Sequence, residues 1–158
     1  MIKDLQFENR FLFLSVTVGS LLLCVIALGP GLFTTELTSA TNWQYLVFKD
    51  LCHQETARSY SFNNIQMAVC SRCLGIYTAL FGSWILMPFF AYLGRHQKKM
   101  FKWLFGAAIV LNLLDVLGNL FGFWTNTSSS RLLFGVLLGT SITLLLSNEF
   151  YKQLNYEN

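Results

Sequence analysis

The chain has 158 residues, of which 54% are hydrophobic, 16% aromatic and only 12% charged, with a formal net charge of +3. Soluble domains carry about 25% charged residues, so this supply cannot clothe a water-facing surface and points to a bilayer. The length suits one membrane domain, 1–158, and no basic stripe is interleaved with aromatics as nucleic-acid binding would require.

Met1 to Arg10 is short and polar, and residues 11–33 are almost wholly apolar, with Cys24 inside and Gly29-Pro30 near the end. About 20 apolar residues cross a hydrocarbon core, which predicts a first transmembrane helix. A signal peptide would carry an apolar stretch of only about 7–15 residues and a small-residue cleavage site, so the helix is expected to be retained. Residues 34–73 form a long connection, in which Trp43, Leu46 and Val47 predict a short amphipathic helix at the interface. Residues 74–93 predict a second span, with Gly75, Ala79 and Gly82 on one face for close helix approach and a kink at Pro88. A basic turn (Arg95, Lys98, Lys99, Lys102) leads into a third span, 103–124, bracketed by Trp103 and Trp124 and interrupted by Asn112, Asp115 and Asn119. A hydroxyl-rich connection precedes a fourth span, 131–147, with Gly135, Gly139 and Thr143 on one stripe. The expected fold is all-α: an integral membrane bundle of four transmembrane helices with a Cys/His-bearing outer loop, able to oligomerise through its small-residue faces.

Basic residues near helix ends set orientation. Four spans would put Lys3, Arg10, Arg95, Lys98, Lys99, Lys102 and Lys152 on one side, against Lys49, Arg58, Arg72 and Arg131 on the other. The first side is assigned to the cytoplasm, as in a multi-pass protein of the cytoplasmic (inner) membrane. The 34–73 loop then faces outward.

That loop holds Cys52, Cys70 and Cys73, three of the four cysteines, together with His53. Zinc is bound tetrahedrally by Cys thiolates and His nitrogens, and a C-x-x-C pair grips one ion from a tight turn. Cys52, His53, Cys70 and Cys73 are therefore the candidate ligands for zinc or another transition metal. An outward-facing C-x-x-C can equally be a disulfide or redox pair. Cys24 reads as a small apolar filler, and His96 as a solvated residue of the basic turn.

Cys52-His53-Gln54, then Arg58-Ser59, then Val69-Cys70-x-Arg72-Cys73-x-Gly75-Ile76-Tyr77 resembles the signature of a small family of prokaryotic membrane proteins known only as a domain of unknown function. The resemblance continues through Asp115, Asn119, Asn126, Arg131 and Gly135. It implies a membrane protein with these residues at its site, and names no activity. The chain departs from that pattern at Thr56 or Ala57, where a Pro is expected, at Val116 (Gly) and at Asn119 (Gln).

Asn112, Asp115 and Asn119 fall on one helical face with Gly118 and Gly122. An ionisable group at the centre of a span costs about 2.5–3.5 kcal/mol on insertion scales, so it faces the bundle interior and marks a functional position. The sequence places Asp115 near the midplane, at the end of a polar track running inward from the loop past Arg131 and Asn119. The alternative is a hydrogen-bonded Asp115 that glues helices and an Arg131 that snorkels to phosphates.

These residues frame the expected function. Cys52, His53, Cys70 and Cys73 would close a zinc-like site over a pocket for a lipid or small polar ligand. Gln54, Arg58, Arg72 and Asn119 would contact that ligand, with Asp115 and Arg131 in any catalytic role. A three-cysteine site would leave an open position for metal-assisted hydrolysis. A thiol–disulfide oxidoreductase using Cys70 and Cys73, and metal handling or transport, are the competing classes.

Overall fold

The structure, a computed structural model, describes residues 5–7, 10–34, 42–94 and 98–153. Lys3, Arg95 and His96 lie outside the described residues, as does the first part of the long connection. Strand β1 (Leu5–Phe7) precedes helix α1 (Arg10–Ala27). Helix α2 (Trp43–Phe48) and a hairpin of β2 (Ser61–Phe62) and β3 (Ile65–Gln66) build the connection. Helices α3 (Ser71–Ile85), α4 (Met87–Gly94), α5 (Lys98–Leu120) and α6 (Ser128–Phe150) follow, and β4 (Tyr151–Gln153) ends the described chain.

Among the described residues, three helices are long and apolar enough to cross a membrane: Arg10–Ala27, Lys99–Leu120 and Ser128–Ser147. The expected second span is instead divided between α3, of 15 residues, and α4, of 8. Pro88 explains the break, since it has no N–H to offer the carbonyl four residues back and its ring crowds that carbonyl. Large apolar side chains such as Phe11, Trp103 and Leu120 stand exposed around the helices, as lipid-facing surfaces do.

The first span also ends earlier than residue 33. Gly29 takes φ 79° and Pro30–Leu32 forms a 3-10 turn, which docks under the hairpin through Asn63 Nδ2 donating to the Gly31 carbonyl at 3.0 Å. Asn63 and Asn64 turn that hairpin with φ of 51° and 61°, a left-handed conformation that Asn tolerates better than most residues. The predicted interfacial helix is present. Trp43, Leu46 and Val47 lie open on it, while Gln44 and Phe48 are buried.

Helices α3 and α6 pack along a ladder of small residues. A Cβ on Gly75 would meet the Leu132 carbonyl oxygen at 2.3 Å, one on Gly135 the Arg72 carbonyl oxygen at 2.1 Å, and one on Gly139 the Ala79 Cβ at 2.9 Å. One turn on, Ser83 Oγ donates to Thr143 Oγ1 at 2.7 Å. Each rung advances four residues on both helices, so the two run in the same direction with their backbones nearly touching. This is the packing that small residues permit where no hydrophobic drive separates helix from lipid. Gly82, expected on the same face, has nothing within 4 Å of where its Cβ would stand; Ser83 takes the rung. The ladder commits Gly75, Ala79, Gly135 and Gly139 to contacts within the chain. We expect Gly135→Ala to cost about 1–3 kcal/mol by forcing the helices apart, read as a lower melting temperature in detergent beside an undiminished Gly82→Ala control. Equal melting of Gly135→Ala and wild type would contradict the ladder.

Helix α1 runs against α3. Trp84 Nε1 donates to the Phe13 carbonyl at 3.3 Å, and at the other end Ala27 is buried with Val69 and Leu74. Helix α5 runs against α6, with Asn112 Nδ2 donating to the Phe134 carbonyl at 3.1 Å. The segments flanking the bundle meet: β1 pairs antiparallel with β4, Leu5 opposite Gln153 and Phe7 opposite Tyr151. That pairing lies at the end away from the cysteine loop.

The third span stops at Leu120, short of the expected 124. Phe123 N–H returns to the Gly118 carbonyl at 2.9 Å while Gly122 sits at φ 73°, the glycine-terminated cap that ends many helices. The reversal lays the Trp124 indole over Gly118, where a Cβ would stand 2.1 Å from the ring.

Candidate metal centre and its cavity

The sulfurs converge because three local structures are tied together. Cys52 follows α2, its N–H accepted by the Phe48 carbonyl at 2.8 Å, and it is buried with Phe48, Val69 and Leu74. Cys70 is the N-cap of α3, in extended conformation (φ −70°, ψ 160°), and Cys73 lies in the first turn. Gln54 holds the pieces in register: its Nε2 donates to the Tyr45 carbonyl at 2.7 Å and to the Ala68 carbonyl at 3.0 Å. Its own carbonyl accepts from Gln66 Nε2 at 2.6 Å, and its backbone sits at φ 47°.

The outcome is a cluster in which the Sγ atoms of Cys52, Cys70 and Cys73 all lie within 4.8 Å of one another. The Cys70 backbone N–H donates to Cys52 Sγ at 3.1 Å. Hydrogen bonds from the Cys52 and then the Cys73 thiol hold Cys70 far below the ordinary thiol pKa. Cys73, which keeps its proton to donate to Cys52 and Cys70, is pushed up. Three thiols at a helix N-terminus thus share one easily formed negative charge, and a cation is what would let the others ionise. The donor set fits a soft or borderline ion such as zinc.

His53 is not part of the sulfur cluster; it is exposed, on the wall of a cavity of about 270 Å³ that also borders Cys52, Cys70 and Cys73. Arg58, Arg72, Asn119 and Arg131 line the same cavity. Arg58 is at the rim, with its Nε 2.7 Å from Glu55 Oε2 and both side chains 45% exposed. Arg131 is 8% exposed. Gln54 is not among the lining residues, and its amide is spent on bracing the loop.

Asp115 faces elsewhere. It borders a second cavity of about 480 Å³ with Trp124 and Ser130, is 5% exposed, and is ion-paired to Arg72 Nη2. It stands five residues from the end of α5, about 8 Å along the axis, and so nearer the cysteine end than the middle. The early cap at Gly122 is the reason. The polar track is therefore divided: Arg131 and Asn119 belong to the cysteine cavity, and the Arg72–Asp115 pair closes it from Asp115's own.

One residue outside the expected site joins both cavities. Asn126 Nδ2 donates to Asp115 Oδ2 at 2.8 Å and to the Asp115 carbonyl at 3.3 Å, and its N–H donates to Asn119 Oδ1 at 3.2 Å. Its side chain seats the connection between α5 and α6 on the polar face of α5. The signal was the family resemblance, which includes Asn126; by spacing alone it reads as the start of an Asn-Thr-Ser glycosylation acceptor.

A family model described as a predicted membrane protein (DUF2085) matches residues 52–145. An uncharacterised protein of Methanocaldococcus jannaschii, MJ1492, is 29% identical over 110 residues, 70% of each chain. No solved structure matches the chain. The matched range begins at Cys52 and takes in the sulfur cluster, the α3–α6 ladder and the lining of both cavities except Leu51.

Proposed function

The chain belongs to the DUF2085 family of predicted membrane proteins, and from that premise we propose that it is a metal-binding membrane protein of the cytoplasmic membrane. Its zinc-like ion would be held by Cys52, Cys70 and Cys73 over a pocket for a lipid or small polar ligand. The observation that carries this reading is the convergence of three sulfurs, one from the loop after α2 and two from the start of α3, within 4.8 Å. His53, on the wall of the same cavity, is the donor proposed for the fourth position. Four protein ligands would make the ion structural, clamping the loop onto the bundle. With Asp115 already paired to Arg72, a hydrolytic role is the less supported version.

Four crossings and one domain belong to the same reading. The pairing of β1 with β4 at one end of the bundle supports an even number of passes. With α1, α5 and α6 as three, the α3–α4 pair, broken at Pro88, would be the fourth. The cysteine loop is then assigned to the outer face because Arg10, Lys99 and Lys102 gather at the other end.

A redox protein is the second reading, supported by Cys70 and Cys73 standing at the N-cap and first turn of α3, where helix N-termini favour thiolates. Alkylation of the unreduced protein separates the two. Thiols that react only after a chelator is added, without reductant, support the metal site. Cys70 and Cys73 that react only after reductant would replace it with a disulfide.

A further inference from the structure

The cysteine cavity holds one arginine that no carboxylate pairs among the described residues. Arg58 is paired to Glu55 at the rim, and Arg72 to Asp115 behind it. Arg131, in the first turn of α6, is 8% exposed and lines the cavity; its backbone N–H donates to the Thr127 carbonyl at 3.1 Å, while its guanidinium has no hydrogen bond or ion pair among the described residues. An enclosed guanidinium without an ion-pair partner is costly to hold, and intramembrane arginines persist where a partner meets them. Asn119 and Asn126 add neutral polar groups on the opposing wall. Helices α3 and α5 both pack on α6 and scarcely on each other, and each lends an apolar side chain, Ile76 and Val116, to the cavity wall.

We propose that this cavity, with Arg131 at its base and Arg58 at its rim, binds a phosphate-bearing anion. This deepens the proposed function and rests on the pocket of that reading, not on the metal. Guanidinium groups match phosphate oxygens through paired N–H donors. The same chemistry is offered by a phospholipid headgroup entering between α3 and α5 and by free phosphate from water. The competing counter-charge is the Cys70 thiolate in the same cavity.

The test uses the full chain, purified in detergent and in nanodiscs, with metal content measured in every sample. Binding of inorganic phosphate is followed in detergent; protection against thermal unfolding is followed in nanodiscs of phosphatidylcholine alone or with phosphatidic acid. We expect wild type to bind one or both anions, and Arg131→Met and Arg131→Lys to weaken that binding about tenfold or more, with Arg58→Met, a rim change that spares the bundle, weakening it less. Unchanged metal content in these variants keeps the result independent of the sulfur site. Protection by phosphatidic acid without phosphate binding identifies a lipid headgroup, and phosphate binding of equal strength identifies the free anion. The proposal is overturned if neither anion binds wild type, if Arg131→Met binds as wild type does, or if Arg131→Met loses metal while anion binding persists, which would make Arg131 the counter-ion of the thiolates.

Discussion

Replacing Cys70 by Ser is expected to remove stoichiometric metal and lower the melting temperature of the purified protein. Cys70 is the hub of the cluster: hydrogen bonds from Cys52 and Cys73 favour its thiolate, and its backbone N–H also bonds Cys52 Sγ. A hydroxyl neither ionises near neutral pH nor binds a borderline ion as a thiolate does, so the affinity should fall by a hundredfold or more, about 3 kcal/mol. The loop should loosen with it, because the segment after α2 and the start of α3 meet at these sulfurs. Cys24→Ser is the control, since Cys24 lies in α1 outside the cluster. Metal that stays stoichiometric in Cys70→Ser would contradict the assignment, as would equal loss from Cys24→Ser.

The second large effect is expected at the Arg72–Asp115 pair. Arg72→Met should cost about 3 kcal/mol or more, because it leaves a carboxylate that is 5% exposed facing only Asn126. Asp115→Asn should cost less: Arg72 is 23% exposed and borders the cysteine cavity, where water can reach it. Removing both charges should be milder than Arg72→Met alone, since a neutral pair buries no unmatched ion. Thermal unfolding of the two single variants and the double in detergent gives the coupling. Additive losses would contradict a direct ion pair, and a harmless Arg72→Met would contradict the burial of Asp115.

What could be read from the residues divides along physical lines. Three long helices follow from uninterrupted apolar stretches, and the convergence of Cys52 with Cys70 and Cys73 follows from ligand chemistry and loop position. The ladder of Gly75, Ala79, Gly135 and Gly139 was visible as small residues at helical spacing, but whether they pack inside the chain or between copies depends on which helices are neighbours. Gly82 and Ser83 differ by one position on that face, too fine a distinction for periodicity. The ion pair of Arg72 with Asp115 joins residues 43 apart in sequence, so it appears only once α3 and α5 are placed on α6. Gln54 sits in the motif like a ligand-binding residue, and its use as a loop brace depends on a left-handed backbone and on two carbonyls far from it in sequence. The early end of α5 was signalled by Gly122, which fits a helical face equally well as a letter in the sequence and becomes a cap only when its φ turns positive.

The division of Asp115 from the cysteine cavity bears on mechanism. A base for metal-assisted hydrolysis has to reach a ligand beside the ion, and Asp115 instead accepts from Arg72 and Asn126. Its role in this arrangement is to hold α3, α5 and the α5–α6 connection together and to fix Arg72 at the edge of the cavity. Arg72 then separates the two cavities as a positioning residue, and the sulfur cluster clamps the loop above it.

Elemental analysis of the purified, detergent-solubilised wild type, washed free of loosely bound ions, tests the central claim most directly. Close to one zinc-like ion per chain is expected, released by chelator together with exposure of three alkylatable thiols. A metal-free protein, with Cys70 and Cys73 joined until reductant is added, would contradict it.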